Sequence, residues 1–258
     1  MSNTVRNIMT ASAAALIAAA LCLAYICGAR QRRELKCTGL EVMIMDSTVN
    51  RFVTAEEVRK ALEMQYGTYI GVAIDSIDLM KVEDIIDRKS AVRKSEAYTT
   101  MDGKLNIRVS QRKPMIRFQT EERGFYADED GILLPLQNTY TSHVHVVDGN
   151  IPLKGNSGYK GVPETEEERK WLKGISDLVR FIDAGVWKEK IVQIHIDRKG
   201  DIILVPREGQ IRFIFGQPVQ IEEKFRKMEQ YYSNIVPEKG EKHYTWVDLK
   251  YKGQIVCR

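Results

Sequence analysis

Cysteine is scarce in this chain, and what there is forms no chemical pattern. The four cysteines are Cys22, Cys27, Cys37 and Cys257. Two sit in an apolar N-terminal run, the other two are far apart, and no CxxC spacing occurs. That excludes a disulfide framework and a cysteine zinc site. The sequence carries no geometry for a Cys37–Cys257 bridge. Charge of one sign is also lacking. Thirty-nine basic against 35 acidic residues leave a net +4, and no basic tract exceeds the GARQRRELK run, so nucleic-acid binding has no footprint. No GxSxG elbow, phosphate-cradling glycine loop or HExxH motif occurs.

The residues that invite chemistry have plainer readings. His143 and His145 fall on one face of an expected strand, but His195 and His243 supply no further metal ligand at a useful spacing. Asp128, Glu129 and Asp130 lead into an Asp-Gly turn, which is not the arrangement of a general acid and base. The run ETEEERK (164–170) reads as a solvated helix start, where acids suit the dipole. With 29% charged and 8% aromatic residues the bulk of the chain is folded and globular, yet catalysis has almost no foothold.

One long hydrophobic run is present. Ile8–Cys27, IMTASAAALIAAALCLAYIC, holds twenty uncharged residues. That matches a hydrocarbon core of ~30 Å. Ile8, Leu16, Ile17, Leu21, Leu23 and Ile26 together favour insertion by about 2–4 kcal/mol. The length points to a retained anchor. A signal peptide cleaved near Cys27-Gly28-Ala29 and a buried core helix are the competing readings. Arg6 precedes the run, whereas Arg30, Arg32, Arg33 and Lys36 follow it, so the positive-inside rule alone would leave the C-terminal part in the cytoplasm.

Beyond the run, a strand is expected at Glu41–Met45 and a helix after Thr54, with Thr54 and Glu57 as a capping box. Val58, Leu62 and Met64 or Gln65 form its apolar stripe, and Gly67 stops it. A second helix is expected over Ser76–Asp87, with Ile77, Met80, Ile85 and Ile86 near one face. Strands at Val92–Met101 and Leu105–Val109 flank an Asp-Gly hairpin signal. This order, β-α-α-β-β, makes a compact α+β module. From Arg112-Lys113-Pro114 onward the pattern is mixed and β-rich with two helices. Strand signals are GFYAD, ILLPL, HVHVVDG, IVQIHID, DIILVP, IRFIFG, His243–Tyr251 and Gln254–Cys257. Asn150–Pro163 reads as a loop, and the helices as Glu164–Asp183 and Ile221–Val236.

Several stretches, taken in order, resemble the bacterial cell-division protein family FtsQ/DivIB. KCTGLEVMIMD followed by RFVTAEEVRKAL resembles the start of the family's POTRA module, in the cysteine-bearing form of the Bacteroidetes branch. VSQRKPMIRFQTEERGFYADEDGILLPL resembles the junction into its β-domain, IILVPREGQIRFIFGQPVQIEEKFRKMEQYY its late strands and helix, and YTWVDLKYKGQIVCR its closing strand. The resemblance implies a cytoplasmic tail at 1–7, a transmembrane helix at 8–28, a POTRA domain at 37–112 and a β-domain at 113–258. It implies a bitopic inner-membrane scaffold of the divisome without catalysis or cofactor. The large domain would be periplasmic, the partners would be FtsB and FtsL, and FtsK and the septal FtsW/FtsI synthase would be further contacts.

The resemblance also assigns a site. In the family a partner segment adds to the edge of the final strand, so that backbone hydrogen bonds supply affinity. The positions carried over are Lys250, Tyr251 and Gly253, and edge geometry adds Gln254, Ile255 and Val256. Lys252-Gly253 is the expected turn, and Lys250 and Lys252 would attract acidic partner residues. The plain alternative is an ordinary edge blunted by its charges. A strand ending at Arg258 gives few backbone pairs, so further affinity would come from the Ile221–Val236 helix. Two rival functions stand beside this one: a POTRA-type periplasmic assembly or transport factor, and a secreted enzyme whose site the sequence does not reveal.

Overall fold

The computed structural model describes residues 15–25, 35–45, 51–121, 123–137, 140–154 and 159–258. Residues 15–25 are helical and exposed. The rest of the expected 8–28 span lies outside the described residues, and no described helix is long and apolar enough to cross a membrane. The chain divides into two compact units, the first holding the strand Gly39–Ile44 and Val53–Gln111, the second Arg112–Arg258 together with Arg51 and Phe52.

The first unit is β-α-α-β-β: β1 (Gly39–Ile44), α1 (Ala55–Gln65), α2 (Leu79–Asp87), β2 (Val92–Thr99) and β3 (Lys104–Gln111). The sheet order is β1-β3-β2, with β1 parallel and β2 antiparallel to β3. Leu105, Ile107 and Val109 alternate inward from the central strand, as the sequence pattern requires. The Thr54–Glu57 capping box is formed in both directions, at 3.2 and 3.0 Å. α2 starts later than expected. A 3₁₀ turn occupies Ile74–Ser76, and the Asp78 side chain then caps Lys81 N at 3.0 Å. Met64 and Met80 are 86% and 76% exposed. Each lies two positions from a fully buried residue, Leu62 and Val82, which is about 200° around a helix. Val58, Ala61 and Leu62 carry the stripe of α1, and Val82, Ile85 and Ile86 that of α2.

The second unit is one nine-stranded sheet. Its strands are β4 (Pro114–Gln119), β5 (Gly124–Asp128), β6 (Leu133–Pro135), β7 (His145–Gly149), β8 (Ile191–Ile196), β9 (Ile202–Pro206), β10 (Arg212–Gly216), β11 (Trp246–Asp248) and β12 (Val256–Cys257). They lie in the order β12-β11-β10-β9-β8-β7-β4-β5-β6. The register aligns one row of inward residues across eight strands: Phe125, Phe118, Val147, Ile194, Leu204, Phe213, Val247 and Cys257. Against this face pack Leu172, Ile175, Leu178, Val179 and Ile182 of α3 (Glu166–Ala184), and Phe225 and Met228 of α4 (Ile221–Gln230).

Several details depart from the sequence reading. β4 is not among the expected strands, because Met115, Ile116 and Phe118 are all buried and no clean alternation survives. The last long helix is broken: a π-helical turn (Tyr231–Ile235) follows α4, and a short α5 (Val236–Lys239) follows that. His143 precedes β7, so no histidine pair shares a strand face; His145 Nε2 instead lies 3.2 Å from Asp183 Oδ1. Glu168 is buried rather than solvated. Its carboxylate completes a capping box with Thr165 and accepts from Lys154 N at 3.1 Å. Those backbone donors, Thr165's first, hold it below the usual carboxylate range against the opposing effect of burial. Asp128, next to the acidic turn, is structural. One oxygen accepts from Asp130 N and Ile132 N, and the other pairs with Arg112 Nη1 at 2.7 Å.

Candidate partner-binding edge

A sheet with two ends has two rows of backbone groups to satisfy. At the β6 end the loop backbone closes the row: Leu133 N donates to Gly161 O at 2.8 Å and Gly161 N to Leu133 O at 3.2 Å. Pro135, in the same strand, has no N–H to offer. At the β12 end no strand pairs on the outer side among the described residues. The inner side is fully registered. Trp246 and Arg258 exchange two hydrogen bonds at 3.1 and 2.9 Å, and Val247↔Cys257 and Asp248↔Val256 follow. Hydrogen-bonded and non-hydrogen-bonded pairs alternate along an antiparallel ladder. Val256 and Arg258 therefore turn their backbone groups to β11, while Cys257 and, one step on, Ile255 turn theirs outward. The side chains of Ile255 and Cys257 rest against the core.

The residues expected at the site are thus divided. Ile255 and Val256 are on or beside the edge, but only Val256 lies within β12. Lys250, Tyr251, Gly253 and Gln254 belong to the connection from β11 rather than to a strand. The expected turn exists: Gln254 N meets Tyr251 O at 3.4 Å, and Gly253 supplies the positive φ of 67°. The expected strand His243–Tyr251 is shortened to Trp246–Asp248, and Lys227 holds the chain beyond its C-terminal end. This lysine, 6% exposed on α4, donates from Nζ to Leu249 O at 3.2 Å and Tyr251 O at 2.6 Å, with Glu223 Oε1 at 3.5 Å.

Lys250 is engaged within the unit. Its Nζ pairs with Asp201 Oδ2 at 2.6 Å, a hydrogen bond that pushes the ammonium above its ordinary value. Its stem crosses Gly216, where a Cβ would meet Lys250 Cγ at 2.7 Å. Beneath it Lys224 is almost fully buried, donating to Gln217 O at 2.7 Å and lying 4.6 Å over the Phe215 ring. Tyr251, Lys252, Gly253 and Gln254 are exposed. Lys227, Asp201 and Cys257 were not among the expected site residues. The first two act through contacts distant in sequence; Cys257 was legible from strand alternation once the register was known. Among the described residues no group of three or more His, Cys, Asp or Glu is placed to hold a metal ion.

This architecture, a β-α-α-β-β unit followed by a large mixed sheet ending on an open edge, agrees with two family models. FtsQ/DivIB, C-terminal related, matches residues 113–258, and a POTRA-like domain matches 35–110. The chain belongs to the FtsQ/DivIB family. Membership gives it a role in cell division, association with the division site and division proteins as partners. Both families are generally non-catalytic. No curated protein matches the chain.

Proposed function

We propose that this protein is a bitopic scaffold of the divisome. Residues 8–28 anchor it in the inner membrane, 1–7 face the cytoplasm, and the POTRA (37–112) and β-rich (113–258) domains stand in the periplasm at the septum. FtsB- and FtsL-like proteins are its partners, with FtsK and the FtsW/FtsI synthase as further contacts, and through them it helps control septal peptidoglycan synthesis. The observation that carries this reading is the contrast between the two ends of the sheet. Gly161 closes β6, while at β12 Ile255 and Cys257 turn outward backbone groups that no described strand pairs. A partner strand adding there gains main-chain hydrogen bonds and takes its register from the side-chain pockets alongside. Tyr251, Lys252, Gly253 and Gln254 would receive the flank of that segment; Lys250 would act from its fixed place against Asp201.

Depletion in living cells tests the proposal. Filaments lacking septa, with intact outer-membrane protein content, are expected. Normal septation with defective outer-membrane assembly would replace this reading with that of a POTRA-type assembly or transport factor.

A further inference from the structure

On other strands than the edge, a cavity of about 350 Å³ opens between the β9–β10 hairpin and the π-helical turn. Its size is at the low end for ligand sites. Trp187, Ile211, Tyr231, Tyr232 and Val236 form its apolar walls. The π-helical turn sets two consecutive tyrosines into them, and such turns recur at functional sites.

The rim carries three acids and two bases, and both bases are committed. Arg207 donates from Nε to Glu189 O at 2.8 Å and lies 3.9 Å from the Glu189 carboxylate. Lys190 rides over the Trp187 ring at 5.4 Å. Glu208 and Glu241 have no ion-pair partner among the described residues. Burial first, then Tyr231, Glu241 and Glu208, push the Tyr232 phenol up to about 12. Tyr231, 1% exposed and lining the same cavity, has a hydroxyl without a hydrogen-bond partner among the described residues. Glu208 and Glu241 stand exposed at the mouth, so an incoming cation is attracted and an anion repelled.

We propose that this cavity receives a cationic side chain, lysine or arginine, from a protein partner. The partly exposed phenol face of Tyr232 holds it by cation–π attraction and Glu208 and Glu241 supply charge-assisted contacts. No residue of β12 lines this cavity, so cation binding here and strand addition there are read out separately.

The test follows the indole N–H resonance of Trp187 in the full-length protein, assigned by elimination with Trp171→Phe and Trp246→Phe. The probes are Nα-acetyl-lysine methylamide, its arginine counterpart and the neutral isostere Nα-acetyl-norleucine methylamide. A saturable shift with either cation is expected, with none from norleucine at the same concentration. Glu208→Gln/Glu241→Gln should weaken cation binding about tenfold, the loss of two contacts of ~0.7 kcal/mol each. Both positions are on the rim, and an unchanged indole spectrum of the free variant shows that the fold is kept. Equal shifts from norleucine and lysine, no saturable shift from either cation, or undiminished binding in the double variant would each overturn the proposal.

Discussion

The buried ammonium of Lys227 donates to the carbonyl oxygen of Tyr251 at 2.6 Å, and to that of Leu249 at 3.2 Å. A helix residue thereby shapes the connection that leads into the edge strand. Lys227→Met keeps the length of the side chain but leaves two carbonyls without their charged donor. A loss of about 2–4 kcal/mol in urea unfolding is expected, with an unchanged denaturant slope. A loss under ~0.5 kcal/mol, the scatter of ordinary surface substitutions, would show that the connection holds its shape without Lys227.

The ladder gives proline opposite effects at adjacent positions. Cys257 turns its N–H outward, so Cys257→Pro removes a donor that only an added strand would use; edge strands tolerate proline there. Val256 turns its N–H to β11, so Val256→Pro deletes an internal bond. Cys257→Pro is expected to abolish partner co-purification while changing stability by less than ~1 kcal/mol, whereas Val256→Pro should lower stability by more than that. Undiminished partner capture by a folded Cys257→Pro variant would remove backbone pairing from the account.

Lys224 makes stability depend on pH. Burial first, then the charge of Lys227, pushes its ammonium down to about 8, with Asp201, Glu223 and Asp248 opposing. Between about pH 8 and its ordinary value of 10.5 the unfolded chain binds more protons at this site than the folded one. Stability therefore rises with pH through that window, and the cost of charging Lys224 is fully present below it. Relative to Lys224→Met, wild type should gain up to about 2 kcal/mol between pH 8 and 10 in parallel unfolding curves. The thiol of Cys257 and the phenols of Tyr231 and Tyr232, all raised by burial, act in the other direction at higher pH but are common to both proteins. Parallel profiles for the two chains would show that Lys224 does not titrate in the folded state in this range.

Thr165 closes the capping box of α3, a helix that packs on the inward face of the sheet. Thr165→Ala should cost about 1 kcal/mol, read as a lower urea midpoint. A midpoint unchanged within error would mean that Glu168, through Lys154 N, holds the helix start alone.

Much of this architecture was legible because it is local. The Thr54–Glu57 cap, the Asp-Gly turns and the alternation of Leu105, Ile107 and Val109 each depend on a few neighbouring residues. Met64 and Met80 misled because a sulfur-containing side chain looks apolar wherever its helix turns it. β4 escaped because burial on both sides erases the period that identifies a strand. The edge itself was readable from the closing stretch and its glycine turn. Its detail was not: the grip of Lys227 on Tyr251 spans 24 positions and that of Lys250 on Asp201 spans 49, and no spacing rule reaches that far.

The most direct measurement is a photo-crosslinking scan through positions 254–257 in living cells, with the trapped protein identified at each. A strand added to β12 predicts capture of a small membrane-anchored division protein at alternate positions, in register with the outward groups of Ile255 and Cys257. Full-length, folded protein that yields no adduct at any of the four positions would contradict strand addition and leave β12 an ordinary edge.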